Sequence, residues 1–258
     1  METVPIPSNY ERQQLLIRLL DRRGRLTVVQ ICQEFDISEA TARRDLGILA
    51  QQGLIQRVHG GAIPVRKADP ELPMLERSHE LSEEKSQIGR AAASLVGVGE
   101  TVFLGSGSTV LEVARHLEGR KITVITNSLP VITLLAQKSN ITLISLGGML
   151  RDSELSFIGH ITEQAMSELR ADKVIIGVHS ISLEHGLTND YVPETQTDRA
   201  IIHIGNQVIL VADHSKWGTV STAFLAPLSI VHTLVTDQVT DPEMVEALRE
   251  QGINVVIA

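Results

Sequence analysis

The chain has 258 residues, of which 43% are hydrophobic and 21% are charged, and its formal net charge is −8. This composition is ordinary for a globular protein and the length allows two domains, while no apolar run reaches the ~18–20 residues that a membrane-spanning helix needs. A single cysteine, Cys32, excludes an internal disulfide, and the first residues lack the zones of a secretory signal, so we expect a cytoplasmic protein without membrane contact.

The charge is unevenly distributed along the chain. Residues 1–67 contain 10 Lys and Arg against 7 Asp and Glu, a balance of +3, whereas the rest contains 13 against 24, a balance of −11. Attraction to nucleic-acid phosphates acts locally, within about a Debye length, ~8 Å in physiological salt. The N-terminal part is therefore compatible with nucleic-acid binding, although so small an excess does not by itself indicate it.

Three helices are predicted in the first 52 residues. Leucines at helical spacing predict the first helix over 10–23, and Thr27 with Gln30 forms a capping box that begins the second. Ser38 is the predicted N-cap of the third, which ends near Gln52. Two short helices joined by a tight turn, with a stabilising helix before them, indicate a helix-turn-helix.

The outward face of the third helix carries side chains suited to DNA. Arginine presents a planar donor fork to guanine or phosphate, and threonine contacts phosphate or a thymine methyl group. A strand over 54–58, a tight turn with positive φ over 59–62 and a strand from Ile63 predict a wing. The predicted DNA-binding residues of the helix and the wing are Ser38, Glu39, Thr41, Arg43, Arg44, Arg57, His59 and Gly60.

Periodicity alone leaves a protein-interaction module as an alternative, in which Glu39 and Arg43 form an ordinary i,i+4 surface ion pair. The strings SEATARRDL at 38–46 and GLIQRVHGGA at 53–62 favour DNA binding, because RRDL and HGGA at this spacing resemble the DeoR family of bacterial regulators. One departure is Ala42, where family members usually carry a larger aliphatic residue. We expect this side chain to pack in the core.

Residues 66–81 are predicted to link a winged helix-turn-helix domain over 1–65 to a larger domain over 82–258. Prolines separated by charged residues resist a continuous helix in this segment. Arg77 and Lys85 resemble the spaced Arg and Glu-Lys of the family at the start of the ligand domain. We expect them to form salt bridges or contacts between domains, with ligand contact by Lys85 as the lesser alternative.

From residue 82 onward, predicted helices and strands alternate. The strands consist almost entirely of Val, Ile and Leu, as expected when both faces of a sheet are covered. The fold class is therefore α/β, with a larger three-layer C-terminal domain and a mostly parallel sheet. The predicted strands are 101–104, 122–126, 141–146, 173–178, 207–212, 233–236 and 253–257. The first predicted helix of this domain begins at residue 82, and the later ones are 109–117, 129–137, 161–169, 194–204 and 242–251.

Four loops that follow predicted strands are rich in hydrogen-bond donors. Ligands of such sheets bind beyond the carboxyl ends of the strands, and small residues at a helix N-terminus let backbone N–H groups surround an anion. Each loop alone has an ordinary structural explanation, but four at equivalent strand ends predict a phosphate pocket. The predicted effector-binding residues are Gly105, Ser106, Gly107, Ser108, Thr109, Thr126, Asn127, Ser128, Gly147, Gly148, Asp213 and Lys216.

The resemblance to the DeoR family extends over nearly the whole chain. It includes the motifs GST at 107–109, TNS at 126–128, GG at 147–148, GLT at 186–188, DHSK at 213–216 and TD at 236–237. It implies a ligand domain similar to sugar-phosphate isomerases of the ribose-5-phosphate isomerase and glucosamine-6-phosphate deaminase type. It also implies a phosphorylated sugar or related metabolite as the effector, with no cofactor.

The same resemblance implies a repressor that binds a double-stranded DNA operator of a carbohydrate-catabolism operon. Helix-turn-helix proteins generally pair half-sites through symmetry, so we expect a homo-oligomer, and the resemblance implies a dimer or a tetramer. Gly105 and the pair His179-Ser180 depart from the usual family residues at the expected mouth of the pocket. These departures leave the identity of the sugar open.

The main alternative is an isomerase or deaminase that acts on the same sugar phosphates. Asp213 and His214 can be drawn as a base and its orienting group, with Glu194 or His179 nearby. A working base needs a hydrogen-bonded partner and a tuned pKa, and a helix-turn-helix serves no purpose in a free-standing isomerase, so we predict no catalytic residue. Val110 replaces the third glycine of a dinucleotide-binding motif, and nine scattered histidines without ligand spacing predict no metal site.

Overall fold

The computed structural model describes residues 9–58, 60–64, 66–68 and 71–258. Its N-terminal part consists of helices and a small antiparallel sheet of order β1-β3-β2. The elements are α1 (Asn9–Arg23), β1 (Leu26–Thr27), α2 (Val28–Phe35), α3 (Glu39–Gln51), β2 (Ile55–Val58) and β3 (Gly61–Pro64). The predicted winged helix-turn-helix is confirmed, with the addition of β1, whose two residues are too short to show a periodic pattern.

Local hydrogen bonds explain where the helices of this unit begin. Gln30 N–H donates to the Thr27 hydroxyl at 3.2 Å and Thr27 N–H donates to the Gln30 side chain at 2.9 Å, so the predicted capping box is present. The Ser38 hydroxyl accepts from Thr41 N–H at 3.3 Å, as expected of an N-cap. Ala42, the residue that departs from the family pattern, is fully buried in the core between the helices, as expected.

The turn of the wing is tighter than predicted. Gly61 and Ala62, which we expected in the turn, are already part of β3, and of the described residues in the predicted turn only Gly60 has a positive φ, +77°. A Cβ atom on Gly61 would lie 2.1 Å from the carbonyl oxygen of Leu26. Glycine is therefore needed at residue 61 for the close approach of β1, and at residue 60 for the turn itself.

The remaining elements build the larger part of the chain. In order they are β4 (Arg66–Lys67), α4 (Met74–Arg77), α5 (Ser82–Ser94), β5 (Thr101–Leu104), α6 (Ser108–His116), β6 (Ile122–Thr126), α7 (Leu129–Leu135), β7 (Ile141–Ser145), β8 (Met149–Arg151), β9 (Ser156–Ile158), α8 (His160–Ser167), β10 (Ala171–Ile176), β11 (Ser180–Ser182), β12 (Gly186–Asn189), α9 (Val192–His203), β13 (Gly205–Val211), β14 (Thr219–Val220), β15 (Ala223–Ala226), β16 (Thr233–Thr236), α10 (Pro242–Glu250) and β17 (Asn254–Ile257). Within the described ranges, no helix is both long and apolar enough to cross a bilayer.

Seven parallel strands form the central sheet, in the order β17-β16-β13-β10-β5-β6-β7. Side chains that alternate along a strand enter opposite layers: Val174 and Ile176 pack in one core cluster with α8, α9 and α10, whereas Ile175 packs in the other with α5, α6 and α7. The predicted three-layer α/β architecture with a mostly parallel sheet is therefore confirmed. The β8–β9 hairpin and the antiparallel sheet β11-β12-β15 were not predicted.

The segment that we expected to be a linker is packed against the larger part of the chain. β4 pairs in parallel with β14, and Ala68 N–H donates to the carbonyl of Val220 at 3.0 Å. Met74, the first residue of the short helix α4, has a buried side chain, and its N–H donates to the carbonyl of Ser153 at 2.7 Å. This segment therefore has fixed contacts with the α/β part on both sides of residue 71.

Candidate functional site

The N-terminal half of α3 presents an exposed, basic face. Arg43 and Arg44 are exposed, and Ser38 and Glu39 are exposed at the start of the helix, with Thr41 half-buried. Glu39 and Arg43 do form the i,i+4 ion pair, at 3.2 Å, but more than half of each side chain is exposed, so the pair contributes at most ~1 kcal/mol. Arg44 forms no ion pair with any described residue. Both guanidinium groups are therefore available to a polyanion.

The wing supplies the second part of this face. Arg57 lies exposed on β2, and Gly60 is exposed at the tip of the β2–β3 turn. His59, the remaining predicted DNA-binding residue, lies outside the described residues. The arrangement is that of a recognition helix accompanied by a wing, which matches the requirement for simultaneous contact with a groove and the adjacent backbone.

A buried ion pair fixes the orientation of α3. Arg12 Nε of α1 lies 2.6 Å from Asp45 Oδ2, with both side chains almost fully buried, and Gln13 donates to Asp45 Oδ1 at 3.2 Å. This explains the Asp of the RRDL string: it faces inward and joins α1 to α3, while the two arginines before it face outward. This role was not predicted, since Arg12 and Asp45 are 33 residues apart in the chain.

The wing is also bound to the α/β part. Gln56 of β2 is buried, accepts a hydrogen bond from the Ser182 hydroxyl at 3.3 Å and donates to the Met244 sulfur at 3.5 Å. Arg25 forms ion pairs with Asp241 at 3.7 Å and with Glu243 at the start of α10. These contacts join the DNA-facing unit to elements that surround the central sheet.

A small polar cavity of about 60 Å³ lies at the carboxyl ends of the adjacent strands β13, β10 and β5. This is the place at which parallel sheets bind ligands. Five of the predicted effector-binding residues line it: Ser106, Gly107, Ser108, Thr109 and Lys216. The structure therefore brings together the loops after β5 and β13, and Gly107, with φ +106°, directs the chain into α6 so that the start of this helix faces the cavity.

The other seven predicted effector-binding residues do not line this cavity. Strands β6 and β7 lie on the far side of β5, and the cavity lining does not include Thr126 at the end of β6 or Asn127, Ser128, Gly147 and Gly148 in the loops that follow. Gly105 packs on β10, and the buried Asp213 caps the backbone of its own loop.

The loops after β6 and β7 have structural roles instead. The Asn127 side chain donates to the carbonyl of Phe157 at 3.0 Å, and Phe157 N–H donates back to the Asn127 carbonyl at 2.8 Å, which holds the β8–β9 hairpin over the sheet. A Cβ atom on Gly148 would lie 2.1 Å from Thr162 Oγ1. These residues therefore shape the walls around the cavity without lining it.

One wall of the cavity is acidic, which sequence reasoning missed. Glu194 accepts from the Ser156 hydroxyl at 2.7 Å and pairs with Arg151, whose guanidinium lies 4.5 Å from the centre of the Tyr191 ring. Asp198 accepts from the Asn189 side chain at 2.9 Å. Carboxylates and amides of this kind bind hydroxyl groups. Glu194 was named from the sequence only for the isomerase alternative, and the other residues were not predicted, because they come from elements that only the fold brings together.

Two carboxyl groups of this wall have raised pKa values. Burial raises the pKa of Glu154 to about 7, with Arg77 opposing this and Glu71 and Glu194 adding to it. Burial also raises the pKa of Asp198 well above its usual range, and the charges of Glu194 and Glu154 act in the same direction. Near neutral pH Glu154 is therefore partly in the protonated form, which donates as well as accepts hydrogen bonds.

A second wall, which contacts the acidic one through Arg77 and Glu154, is cationic. Lys216 is joined there by Arg77 of α4 and by Lys85 of α5, whose ammonium donates to the carbonyl of Arg77 at 2.6 Å. Burial lowers the pKa of Lys85. The resemblance had singled out Arg77 and Lys85 for contacts between domains, and the structure places both at the cavity. Glu71 and His179 complete this wall.

Three side chains at the cavity have the ligand types of a metal site. Ligand atoms of Glu71, His179 and Asp190 lie within 4.8 Å of one another. However, Arg77 lies 2.6 Å and Lys216 lies 3.5 Å from the same oxygen of Glu71. Two positive charges at this distance repel a divalent cation. The surroundings of Glu71 are therefore better suited to an anion than to a metal ion.

Comparisons with known proteins agree with both parts of this description. Residues 12–67 match the model of the DeoR-like helix-turn-helix domain, and residues 80–238 match that of the DeoR C terminal sensor domain. The chain is 36% identical to the HTH-type transcriptional repressor GlcR of Bacillus subtilis (strain 168), over 96% of this chain and 95% of that protein. It is 34% identical to the glycerol-3-phosphate regulon repressor of Haemophilus influenzae, over 95% and 96% of the two chains.

A solved structure of ribose 5-phosphate isomerase A from Methanocaldococcus jannaschii is similar at 20% identity and a TM-score of 0.39, over 53% of this chain and 54% of that one. The two family models together span most of the chain, and the curated relatives cover nearly all of it. The chain belongs to the DeoR family of DNA-binding transcriptional regulators, with an N-terminal helix-turn-helix domain and a C-terminal sensor domain.

Proposed function

We propose that this protein represses a carbohydrate-catabolism operon and that a phosphorylated sugar, or a related metabolite with a phosphate group, controls its affinity for the operator. The observation that carries the proposal is the polarity of the cavity. Cationic side chains, with Lys216 among them, and the N-terminus of α6 line the same cavity as carboxyl groups that include Glu194. The cations and the helix N-terminus suit a phosphate, and the carboxyl groups suit the hydroxyl groups of a sugar.

Residues 1–65 bind DNA in this proposal, 66–81 connect, and 82–258 bind the effector and form the homo-oligomer, a dimer or a tetramer. Arg43 and Arg44 contact bases or phosphates, and the exposed residues at the start of α3 and in the wing fix the register. Pairing of half-sites through symmetry supports the oligomer. Such a function places the protein in the cytoplasm, where operator DNA and sugar phosphates are found.

The curated relatives are named as repressors, one of them of a glycerol-3-phosphate regulon, which supports both the sign of regulation and the class of effector. In this proposal the pocket binds its ligand without converting it. Recovery of each sugar phosphate unchanged after incubation with the purified protein checks this part, and measurable isomerisation would contradict it.

The experiment that tests the proposal is a band-shift screen. DNA fragments from upstream of the gene and its neighbours are mixed with the purified protein, alone and with each of a panel of sugar phosphates. We expect at least one fragment to be bound and at least one sugar phosphate, but not the corresponding unphosphorylated sugar, to release it. Binding that no sugar phosphate changes would contradict the proposed effector class.

A further inference from the structure

Glu71 belongs to the segment 66–81, which we call the connector, and its side chain extends into the cationic wall of the cavity at the strand ends. Its Oε1 lies 2.6 Å from Arg77 Nη1 and 3.5 Å from Lys216 Nζ, and its Oε2 lies 3.2 Å from His179 Nδ1. Only 11% of the side chain is exposed. A single carboxylate from outside the α/β sheet therefore occupies the centre of the positively charged side chains at this end of the pocket.

The same four side chains separate two cavities. The cavity of about 60 Å³ at the strand ends and a neighbouring one of about 290 Å³ are both lined by Glu71, Arg77, His179 and Lys216. The inner cavity is the smaller of the two, and Glu71 stands at the boundary between them because its side chain lines both. Withdrawal of Glu71 would open the inner cavity to the outer one.

Electrostatics keep Glu71 charged in this position. Burial alone would raise the pKa of Glu71, but the hydrogen bond to His179 and the charges of Arg77 and Lys216 lower it to about 2. The carboxylate is thus held as an anion by an arginine, a histidine and a lysine. These donors bind a phosphate group equally well, since a guanidinium fork fits both carboxylate and phosphate oxygens.

We infer that Arg77, His179 and Lys216 form the phosphate subsite of the pocket, and that Glu71 is a tethered anion that occupies this subsite until a phosphorylated ligand displaces it. The inference deepens the proposed function and rests on it. A tethered competitor weakens the observed affinity for ligand by the fraction of molecules in which the subsite is open.

Displacement of Glu71 has a direct path to the DNA-binding unit. Ala68, three residues earlier, is hydrogen-bonded to Val220, and β4 before it is paired with β14. The wing strand β3 ends at Pro64, immediately before this segment. β4 and Ala68 therefore lie on the covalent route between Glu71 and the wing, and movement of Glu71 reaches the DNA-binding unit through them.

The test measures the binding of inorganic phosphate to the full chain by calorimetry, in the native protein and in Glu71→Gln. The matched control is Glu76→Gln, which removes the same charge from an exposed position on α4. We expect Glu71→Gln to bind phosphate at least about 10-fold more tightly than the native protein, and Glu76→Gln to bind it like the native protein. Equal or weaker phosphate binding by Glu71→Gln, including no binding at all, would overturn the inference.

A second variant keeps the test decisive if Glu71→Gln does not fold. Glu71→Asp retains the charge but is one methylene shorter, so it loses reach toward His179 and Lys216, and we expect phosphate affinity between those of the native protein and the amide variant. No gain in this variant would also overturn the inference. The proposed function can fail separately from this inference. If the Glu71 variants bind phosphate tightly but no sugar phosphate changes the operator affinity, the subsite is supported and the regulatory role is contradicted.

Discussion

The guanidinium of Arg77 on the connector is bound to the buried carboxyl group of Glu154, which lies in the turn between β8 and β9, at 2.5 Å. The other end of the same guanidinium holds Glu71. One cation thus serves two carboxyl groups, and only one of them is strongly stabilised as an anion: the pKa of Glu71 is lowered to about 2, whereas burial raises that of Glu154 to about 7. The pocket therefore exchanges a proton near neutral pH.

The first prediction concerns stability against pH. Glu154 binds its proton more tightly in the folded protein than in the unfolded chain, where its pKa is ~4.3. Its contribution to stability is fully present below the unfolded pKa and is lost as pH rises through about 7. Asp198 acts in the same direction, whereas the contribution of Glu71 is already complete above pH 5.

We therefore expect the melting temperature to fall between pH 5 and pH 8, and to fall less in Glu154→Gln, whose amide resembles the protonated acid and does not titrate. Thermal melts of both proteins across this range provide the measurement. Parallel curves for the two proteins would show that Glu154 does not titrate in this range.

The second prediction concerns the support of the recognition helix. Asp45→Ala leaves Arg12 as a buried charge without its partner, which typically costs about 3–5 kcal/mol. The matched control is Glu39→Ala, which breaks the exposed pair with Arg43 and is expected to cost at most about 1 kcal/mol. Urea titration of the full chain, followed by circular dichroism, measures both. Equal losses in the two variants would mean that the buried pair does not hold α1 against α3.

The third prediction separates DNA binding from ligand binding. Arg44→Ala should weaken operator binding by about 1–3 kcal/mol if the guanidinium makes a bidentate contact with a base, and should leave ligand affinity unchanged. Gln51→Ala is the control, because Gln51 is exposed at the other end of the same helix. Fluorescence anisotropy of a labelled operator gives the operator affinity of both variants. A loss of the same size in the control would argue against a specific role of the N-terminal half of α3.

The fourth prediction concerns the response to effector. Lys216→Ala should bind the operator like the native protein when no ligand is present, yet no longer be released by the sugar phosphate, because a cation of the pocket is missing. Lys138→Ala is the control, since this lysine is paired with Glu118 on the surface. Operator titrations with and without the effector measure the response. Release of Lys216→Ala at native effector concentrations would remove Lys216 from the site, and if both this variant and Arg44→Ala lost both activities, the separation into two sites would be wrong.

Much of the fold could be predicted because its signals are local. The capping box of Thr27 and Gln30 and the N-cap at Ser38 set the helix starts, and runs of Val, Ile and Leu marked all seven strands of the parallel sheet. Short strands such as β11 and β12 were missed, since three or four residues with a single large apolar side chain are too few to show a periodic pattern.

The site was predicted only in part because it depends on the order of strands in space. Chain order gives four similar loops after four strands, but the insertion of β10 and β13 next to β5 selects the loops with Ser106 and Lys216 and leaves Asn127 outside. Glu71 was not predicted at the site, and Arg77 was expected only in salt bridges or contacts between domains, for a different reason. They lie in a segment with no periodic pattern, and only the parallel pairing of β4 with β14 and the docking of Met74 bring them to the pocket.

The central claim is that binding at the effector site changes binding at the DNA site. The most direct test measures the affinity of the protein for one operator fragment with and without the sugar phosphate. Coupling between two sites is typically about 1–3 kcal/mol, so we predict that a saturating sugar phosphate lowers operator affinity by about 5–150-fold. An operator affinity that stays the same at every concentration of every sugar phosphate, or no binding to any fragment from the protein's own locus, would contradict the account.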